Sequence, residues 1–233
     1  MTPDDYKRQA AGEAVKLVED GMTLGLGTGS TAAHFIDLVG AQVREGISVK
    51  GVPTSEDTQR RALAAGIELI EPDETTVIDL AVDGTDEVDL RLNLIKGGGG
   101  ALLREKIVAG AARRFVVIAD GSKKVAELGA FPLPVEIDRF AFGLTVRHVR
   151  EVLARLGLGQ DVSLRYGDAR APFLSDGGNY ILDCRLGRIH EPAALDAALL
   201  AIPGVVETGL FIGLADLVIL AGPQGIETLS AKR

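Results

Sequence analysis

Between positions 83 and 105 the chain concentrates groups that can move protons and hold anions. Asp83-Gly84-Thr85-Asp86 supplies two carboxylates, Lys96 a cation, Gly97-Gly98-Gly99-Gly100 a run of backbone N–H groups, and Glu105 a further carboxylate. A carboxylate beside a carbonyl-bearing carbon can take a proton from a neighbouring C–H, and the resulting enediolate needs donors or cations at its oxygens. Glu105 is the candidate base. Lys96 and the glycine amides are candidates to hold the anionic oxygens. Asp83 and Asp86 can bind hydroxyls or relay their protons. That chemistry is metal-free proton transfer on a polyhydroxylated substrate. Taken singly, the same residues also suit a surface acidic turn, a flexible loop and a salt-bridged helix. Their spacing behind a buried strand is what favours a site.

The elements around them must position these groups. Val77–Val82 is an apolar run that predicts a buried strand, with Asp83 and Asp86 at its C-terminal end. Ala101–Arg114 has helix-forming composition, with Leu103, Ile107 and Ala111 spaced four apart. The glycine loop therefore opens a helix, where free N–H groups and the helix dipole favour negative charge. Upstream, Met22–Gly27 predicts a strand running into Thr28-Gly29-Ser30-Thr31 and a helix to about Val43. Ser30 and Thr31 there either cradle a phosphate or simply cap the helix. Lys7 lies near the start of a predicted Tyr6–Glu19 helix and reads as solvated. Two nucleotide signatures fail. Gly25-x-Gly27 meets Ser30 in the third slot of the dinucleotide fingerprint, and no Gly-Lys-Ser/Thr tripeptide is present. NAD and ATP are thereby disfavoured.

Further on come a helix at Ser55–Ala65 and strands at Ile67–Ile70 and Phe115–Ala119, the last ending in Asp120-Gly121-Ser122-Lys123. Alternating strands and helices predict a parallel sheet that binds ligands at its C-terminal edge. The loops Thr28–Thr31, Asp83–Asp86 and Asp120–Lys123 should converge on that rim, with Gly97–Gly100 as a fourth. Phe131-Pro132-Leu133-Pro134 marks a change of character. The expected organisation is α/β: a Rossmann-like, mostly parallel sheet with helices on both faces, formed by residues 1–130 and 204–233, plus a smaller α+β lobe at 131–203. The Gly209–Phe211 and Asp216–Leu220 segments are expected to return to the first sheet.

Composition sets outer bounds. The 233 residues carry a net charge of −8 with 46% hydrophobic residues, which supports a packed core and argues against nucleic acid as partner. No apolar run is long enough for a membrane span, and no signal segment is evident. The single Cys184 suits a reducing cytoplasm and reads as a core residue. His34, His148 and His190 are far apart and form no ligand-spaced pair, so no metal site is expected.

Four blocks, Thr28-Gly29-Ser30-Thr31, Asp83-Gly84-Thr85-Asp86, Lys96-Gly97-Gly98-Gly99 and Arg104-Glu105-Lys106, resemble in order and spacing the signature of type A ribose-5-phosphate isomerases. Phe131–Glu136 and Ile202–Val206 extend the likeness nearly end to end. The resemblance implies interconversion of D-ribose 5-phosphate and D-ribulose 5-phosphate in the non-oxidative pentose phosphate pathway, without metal or organic cofactor. It implies that Glu105 shuttles a proton between C1 and C2, and that Asp83 takes part in ring opening. Thr28, Gly29, Ser30, Thr31, Asp83, Gly84, Thr85, Asp86, Lys96, Gly97, Gly98, Gly99 and Lys123 fall at substrate-binding positions. A homodimer or homotetramer in the cytoplasm is implied as well. Thr85 stands where alanine is frequent, and Gly100 lengthens a usual run of three glycines. The rival readings are a sugar-phosphate aminohydrolase, an acyl-CoA transferase, and a sugar-phosphate-sensing regulatory module. No histidine in the motif blocks supports the first, and no basic DNA-binding segment supports the last.

Overall fold

The computed structural model describes residues 1–167 and 171–231. Positions 168–170 and 232–233, inside the expected 131–203 and 204–233 spans, lie outside the described residues. Along the chain run α1 (Pro3–Ala14), β1 (Thr23–Leu26), α2 (Ser30–Arg44), β2 (Lys50–Pro53), α3 (Glu56–Ala64), β3 (Glu68–Leu69), β4 (Leu80–Asp83), β5 (Glu87–Val88), β6 (Leu94–Ile95) and α4 (Leu102–Ala111). They continue as β7 (Phe115–Asp120), β8 (Leu133–Ile137), α5 (Phe142–Arg155), β9 (Asp161–Leu164), β10 (Tyr180–Arg185), α6 (Pro192–Leu200), β11 (Val205–Thr208), β12 (Leu210–Phe211), β13 (Leu217–Gly222) and β14 (Gly225–Ser230). Two compact units result. One comprises Met1–Thr85, Arg104–Lys124 and Leu214–Arg233; the other comprises Asp86–Leu103 and Val125–Gly213. The second unit thus takes in residues 86–103 and not only the 131–203 segment anticipated from the proline-rich stretch.

The first unit is built on a seven-stranded sheet in the order β14-β13-β7-β4-β1-β2-β3. All its pairings are parallel except β13–β14. Strands β4 and β7 are buried along their whole length, which is why they read as unbroken apolar runs. On one face, Ala10, Ala11 and Ala14 of α1, Phe35, Ile36 and Val39 of α2 and Ala62 of α3 close a core over Leu24, Leu26, Val82, Val116 and Ile118. On the other face α4 lies against β1. A Cβ on Gly25 would stand 2.5 Å from Val108 Cγ1, so only glycine lets that helix come so close. The expected α/β architecture, with helices on both faces of a mostly parallel sheet, is what the chain adopts.

The second unit contains a four-stranded antiparallel sheet, β11-β8-β10-β9, and a three-stranded one, β12-β6-β5. Leu133, Val135, Ile137, Leu182 and Cys184 pack against Val149, Val152 and Leu153 of α5 and Leu195 and Leu199 of α6. Strand β12 joins this unit. Of the two C-terminal segments expected to return to the large sheet, only β13 does so, bringing β14 with it. The short strands β5, β6, β11 and β14 were not anticipated. The first two are two residues each, and β14 is almost wholly exposed, so none of these three shows a period-two apolar pattern.

Candidate active site

In the first unit, β7, β4 and β1 are parallel neighbours, so the loops that follow them leave the sheet at the same edge. This is the convergence expected for Thr28–Thr31 and Asp120–Lys123 and, of the Asp83–Asp86 loop, for Asp83–Thr85; Asp86 belongs to the second unit. Asp83 ends β4 and is 3% exposed. Its Oδ1 accepts hydrogen bonds from the N–H of Thr28 (3.0 Å) and of Gly84 (2.7 Å). The carboxylate fills the place where a side chain at position 27 would be: a Cβ on Gly27 would lie 2.2 Å from Asp83 Cγ. Gly84 sits beside Thr31, 3.7 Å separating its would-be Cβ from Thr31 Cβ.

The start of α2 decides between the two readings of Ser30 and Thr31. The residue at the cap is Gly29, at φ +99°, which has no side chain to bond the helix's first amides. A hydroxyl cap is therefore not what these residues provide. A glycine cap instead leaves the helix's N-terminal end, with its partial positive charge, uncovered by side chains. The Ser30 Oγ accepts from Lys7 Nζ at 3.0 Å. Lys7, read from the sequence as solvated, thus adds its charge to the same helix end. The Thr28 hydroxyl faces inward, within 2.8 Å of Thr54 Oγ1, 2.9 Å of Ser55 Oγ and 3.1 Å of Thr58 Oγ1. Thr54 and Thr58 in turn donate to the carbonyls of Leu26 and Gly27. This hydroxyl cluster fixes the path of the loop. Its sequence signal was Thr54-Ser55 followed by Thr58, of which the sequence reading took only the start of the Ser55–Ala65 helix.

Glu105 stands in the first turn of α4 and is 5% exposed. It lines a narrow crevice together with Asp83, Gly27, Thr54 and Val108. The buried stripe of α4 is Leu102, Glu105, Val108 and Ala109, whereas Ile107 is 61% exposed. The expected stripe of Leu103, Ile107 and Ala111 is therefore not the one the helix buries. A carboxylate on the buried side broke the apolar period that sequence reading relies on. Arg104 and Ile107 instead line an open cleft of about 600 Å³ with Ser55, Gln59, Leu69 and Glu71. After β7, Asp120 accepts from the Ser122 N–H and hydroxyl, forming a tight turn that carries Lys123. Lys124 pairs with Glu227.

The second unit holds Asp86, Lys96 and the glycine loop. Asp86 Oδ2 accepts from the Gly98 N–H at 2.8 Å. Lys96 is 3% exposed, and its Nζ lies 5.5 Å from the centroid of the Phe211 ring, within cation–π range. Its own N–H donates to Gly209 O at 2.9 Å, anchoring the loop's first residue. Gly97 and Gly100 have φ of +100° and +85°, and a Cβ on Gly100 would strike the Phe173 ring at 2.4 Å. The extra glycine is thus a requirement of the loop's local path. Two other acids of the same run are structural. Glu87 accepts from the Gly129 and Phe131 N–H groups, and Asp89 from the Arg91 and Asn93 N–H groups. Residue type alone could not separate them from Asp83 and Asp86.

Residues 50–225 match the family model described as ribose 5-phosphate isomerase A (phosphoriboisomerase A). The chain is 56% identical over 229 residues to ribose-5-phosphate isomerase A of Rhodopseudomonas palustris (strain BisB18), covering 98% of this chain and 99% of the relative. Among solved structures, ribose 5-phosphate isomerase A from Methanocaldococcus jannaschii superposes with a TM-score of 0.91 at 42% identity, covering 98% of this chain and all of that one. A D-ribose-5-phosphate isomerase in complex with phospho-erythronic acid does so with a TM-score of 0.92 at 40% identity, covering 99% and 100%. A buried acid on the first turn of α4, an amide-clamped aspartate at the end of β4 and end-to-end likeness of sequence and fold agree: this chain belongs to the ribose-5-phosphate isomerase A family of aldose–ketose isomerases.

Proposed function

We propose that the chain interconverts D-ribose 5-phosphate and D-ribulose 5-phosphate by proton transfer through an enediolate, with Glu105 as the base. Starting from the aldose, the Glu105 carboxylate takes the proton from C2. The C–H electron pair becomes the C1–C2 double bond, and the carbonyl π pair moves onto O1. A hydroxyl proton passes from O2 to O1, and Glu105 returns its proton to C1. Atoms and charge balance without a co-reactant. Asp83 assists ring opening and the hydroxyl transfer, and its two amide donors hold its carboxylate in one orientation. Lys96 and the Gly97–Gly99 amides hold the oxyanion, and Asp86 binds substrate hydroxyls. The uncapped start of α2, with Ser30, Thr31, Lys7 and Lys123, takes the phosphate.

The observation that carries this reading is the burial of Glu105 in one crevice with Asp83. A base there is shielded from water yet next to a second, oriented carboxylate. The phospho-erythronic acid bound by the related enzyme fits the same chemistry, since a carboxylate beside a hydroxyl-bearing carbon shares the planar, anionic character of an enediolate. The test is turnover of ribose 5-phosphate in deuterated water. Deuterium appears at the migrating position if a proton is exchanged on Glu105; complete retention of the substrate hydrogen would replace this mechanism with a hydride shift. The family likeness further supports a place in the non-oxidative pentose phosphate pathway, action in the cytoplasm and a homodimer or homotetramer. Light scattering on the purified chain tests the last point.

A further inference from the structure

We propose that Arg165 is a positioning residue for the reaction, acting through the glycine loop; this rests on the reading of that loop as the oxyanion holder. Arg165 follows β9, and its side chain is 14% exposed. Its Nε and Nη2 form a fork on the two carboxylate oxygens of Asp183 in β10, with Nε 3.0 Å from Oδ2. The remaining terminal nitrogen, Nη1, is shared between the carbonyl of Gly97 (2.9 Å) and that of Gly98 (3.1 Å). The Phe173 ring lies 5.9 Å from Cζ and also packs against Gly100. The guanidinium is thus fixed on three sides and spends its remaining reach on the loop.

A trans peptide points its N–H opposite to its C=O, and no cis peptide is present among the described residues. Two consecutive carbonyls turned toward Arg165 therefore turn the Gly98 and Gly99 N–H groups the other way. The first of these donates to Asp86 Oδ2. Guanidinium, peptide and carboxylate form one chain of hydrogen bonds, and each bond in such a chain polarises the next. The second, Gly99 N–H, gains donor strength through its own peptide from the same cation. Arg165 accordingly sets both the direction of these amides and the orientation of Asp86. A mere staple between β9 and β10 would need only the Asp183 fork.

The test uses the full chain labelled with 15N-glycine, as wild type, Arg165→Gln and Arg165→Lys. Arg165→Gln is expected to lower kcat about 10- to 100-fold, less than or equal to the loss of a direct oxyanion donor, with KM changed less than about threefold. The Gly98 and Gly99 amide protons shift upfield, and added guanidinium ion restores part of kcat. Arg165→Lys keeps the charge but not the fork, so it shows the same shifts and a partial loss. If Arg165→Gln does not fold, the lysine variant carries the test through the same readouts. Unmoved glycine amides, or a loss of kcat that tracks melting temperature without rescue, overturn the proposal. Wild-type protein inactive on ribose 5-phosphate would sink the isomerase reading, while the amide shifts would still report the link from Arg165 to the loop.

Discussion

Glu105 is where residue type and placement meet most sharply. Replacing it with glutamine keeps the shape of the buried side chain and removes only its basicity. Glu105→Gln should lower kcat by about 10²- to 10⁴-fold, the span of general acid–base catalysis, with a melting temperature within about 4 °C of wild type. Retained turnover would assign the base elsewhere. Gly27→Ala drives a Cβ into the Asp83 carboxylate, so both stability and kcat should fall, the first by about 1–3 kcal/mol as for other overpacked sites; denaturant titration and steady-state assay measure the two. Cys184 is fully buried, and burial pushes its thiol up to about 12. Its folded value therefore lies above the unfolded one near 8.5. The stability this thiol contributes is whole below about pH 8.5 and declines as pH rises toward 12. The stability difference between wild type and Cys184→Ala should shrink accordingly between pH 8 and pH 10. At this scale the sequence singled out Glu105, Asp83 and Asp86 as candidates by type and spacing. It did not reveal which helix face Glu105 occupies, because an acid on the buried stripe defeats an apolar period. Nor did it assign Glu87 to the amides of Gly129 and Phe131, or Lys7 to Ser30, since those pairings are made by tertiary folding.

Among the elements, β1 and α2 show how a short sequence prepares an anion site. A strand ending in glycine, a glycine cap and an uncovered helix start follow one another directly, and α1 delivers Lys7 to the same point. Lys7→Ala should raise KM for ribose 5-phosphate about 10-fold with kcat nearly unchanged, consistent with one charge-assisted hydrogen bond. An unchanged KM would take Lys7 out of the phosphate site. The alternation of strand and helix was legible because β1, β4 and β7 are apolar and bounded by glycine or aspartate. The short strands β5, β6 and β11 were not, because their pairing partners, rather than any local pattern, make them strands.

For the whole molecule, the important fact is that neither unit is continuous in sequence. The second core uses Ile95, Leu128 and Leu210 as well as residues from 131–203, and β11 pairs with β8 from beyond that span. An isolated 131–203 fragment should therefore lack cooperative folding, as circular dichroism and amide exchange would show. Treatment of the full chain with a chelator should leave turnover unchanged, and a large loss would favour a metal-assisted hydride shift. The large sheet has a further consequence. Strand β7 is flanked by β4 on one side and β13 on the other, yet β13 is translated only after the whole of the second unit. While a nascent chain is still on the ribosome, the apolar Phe115–Asp120 segment has an open hydrogen-bonding edge, the kind of surface that recruits chaperones or pairs with a neighbouring chain. The antiparallel β13–β14 hairpin, arriving late, is the piece that shuts that edge.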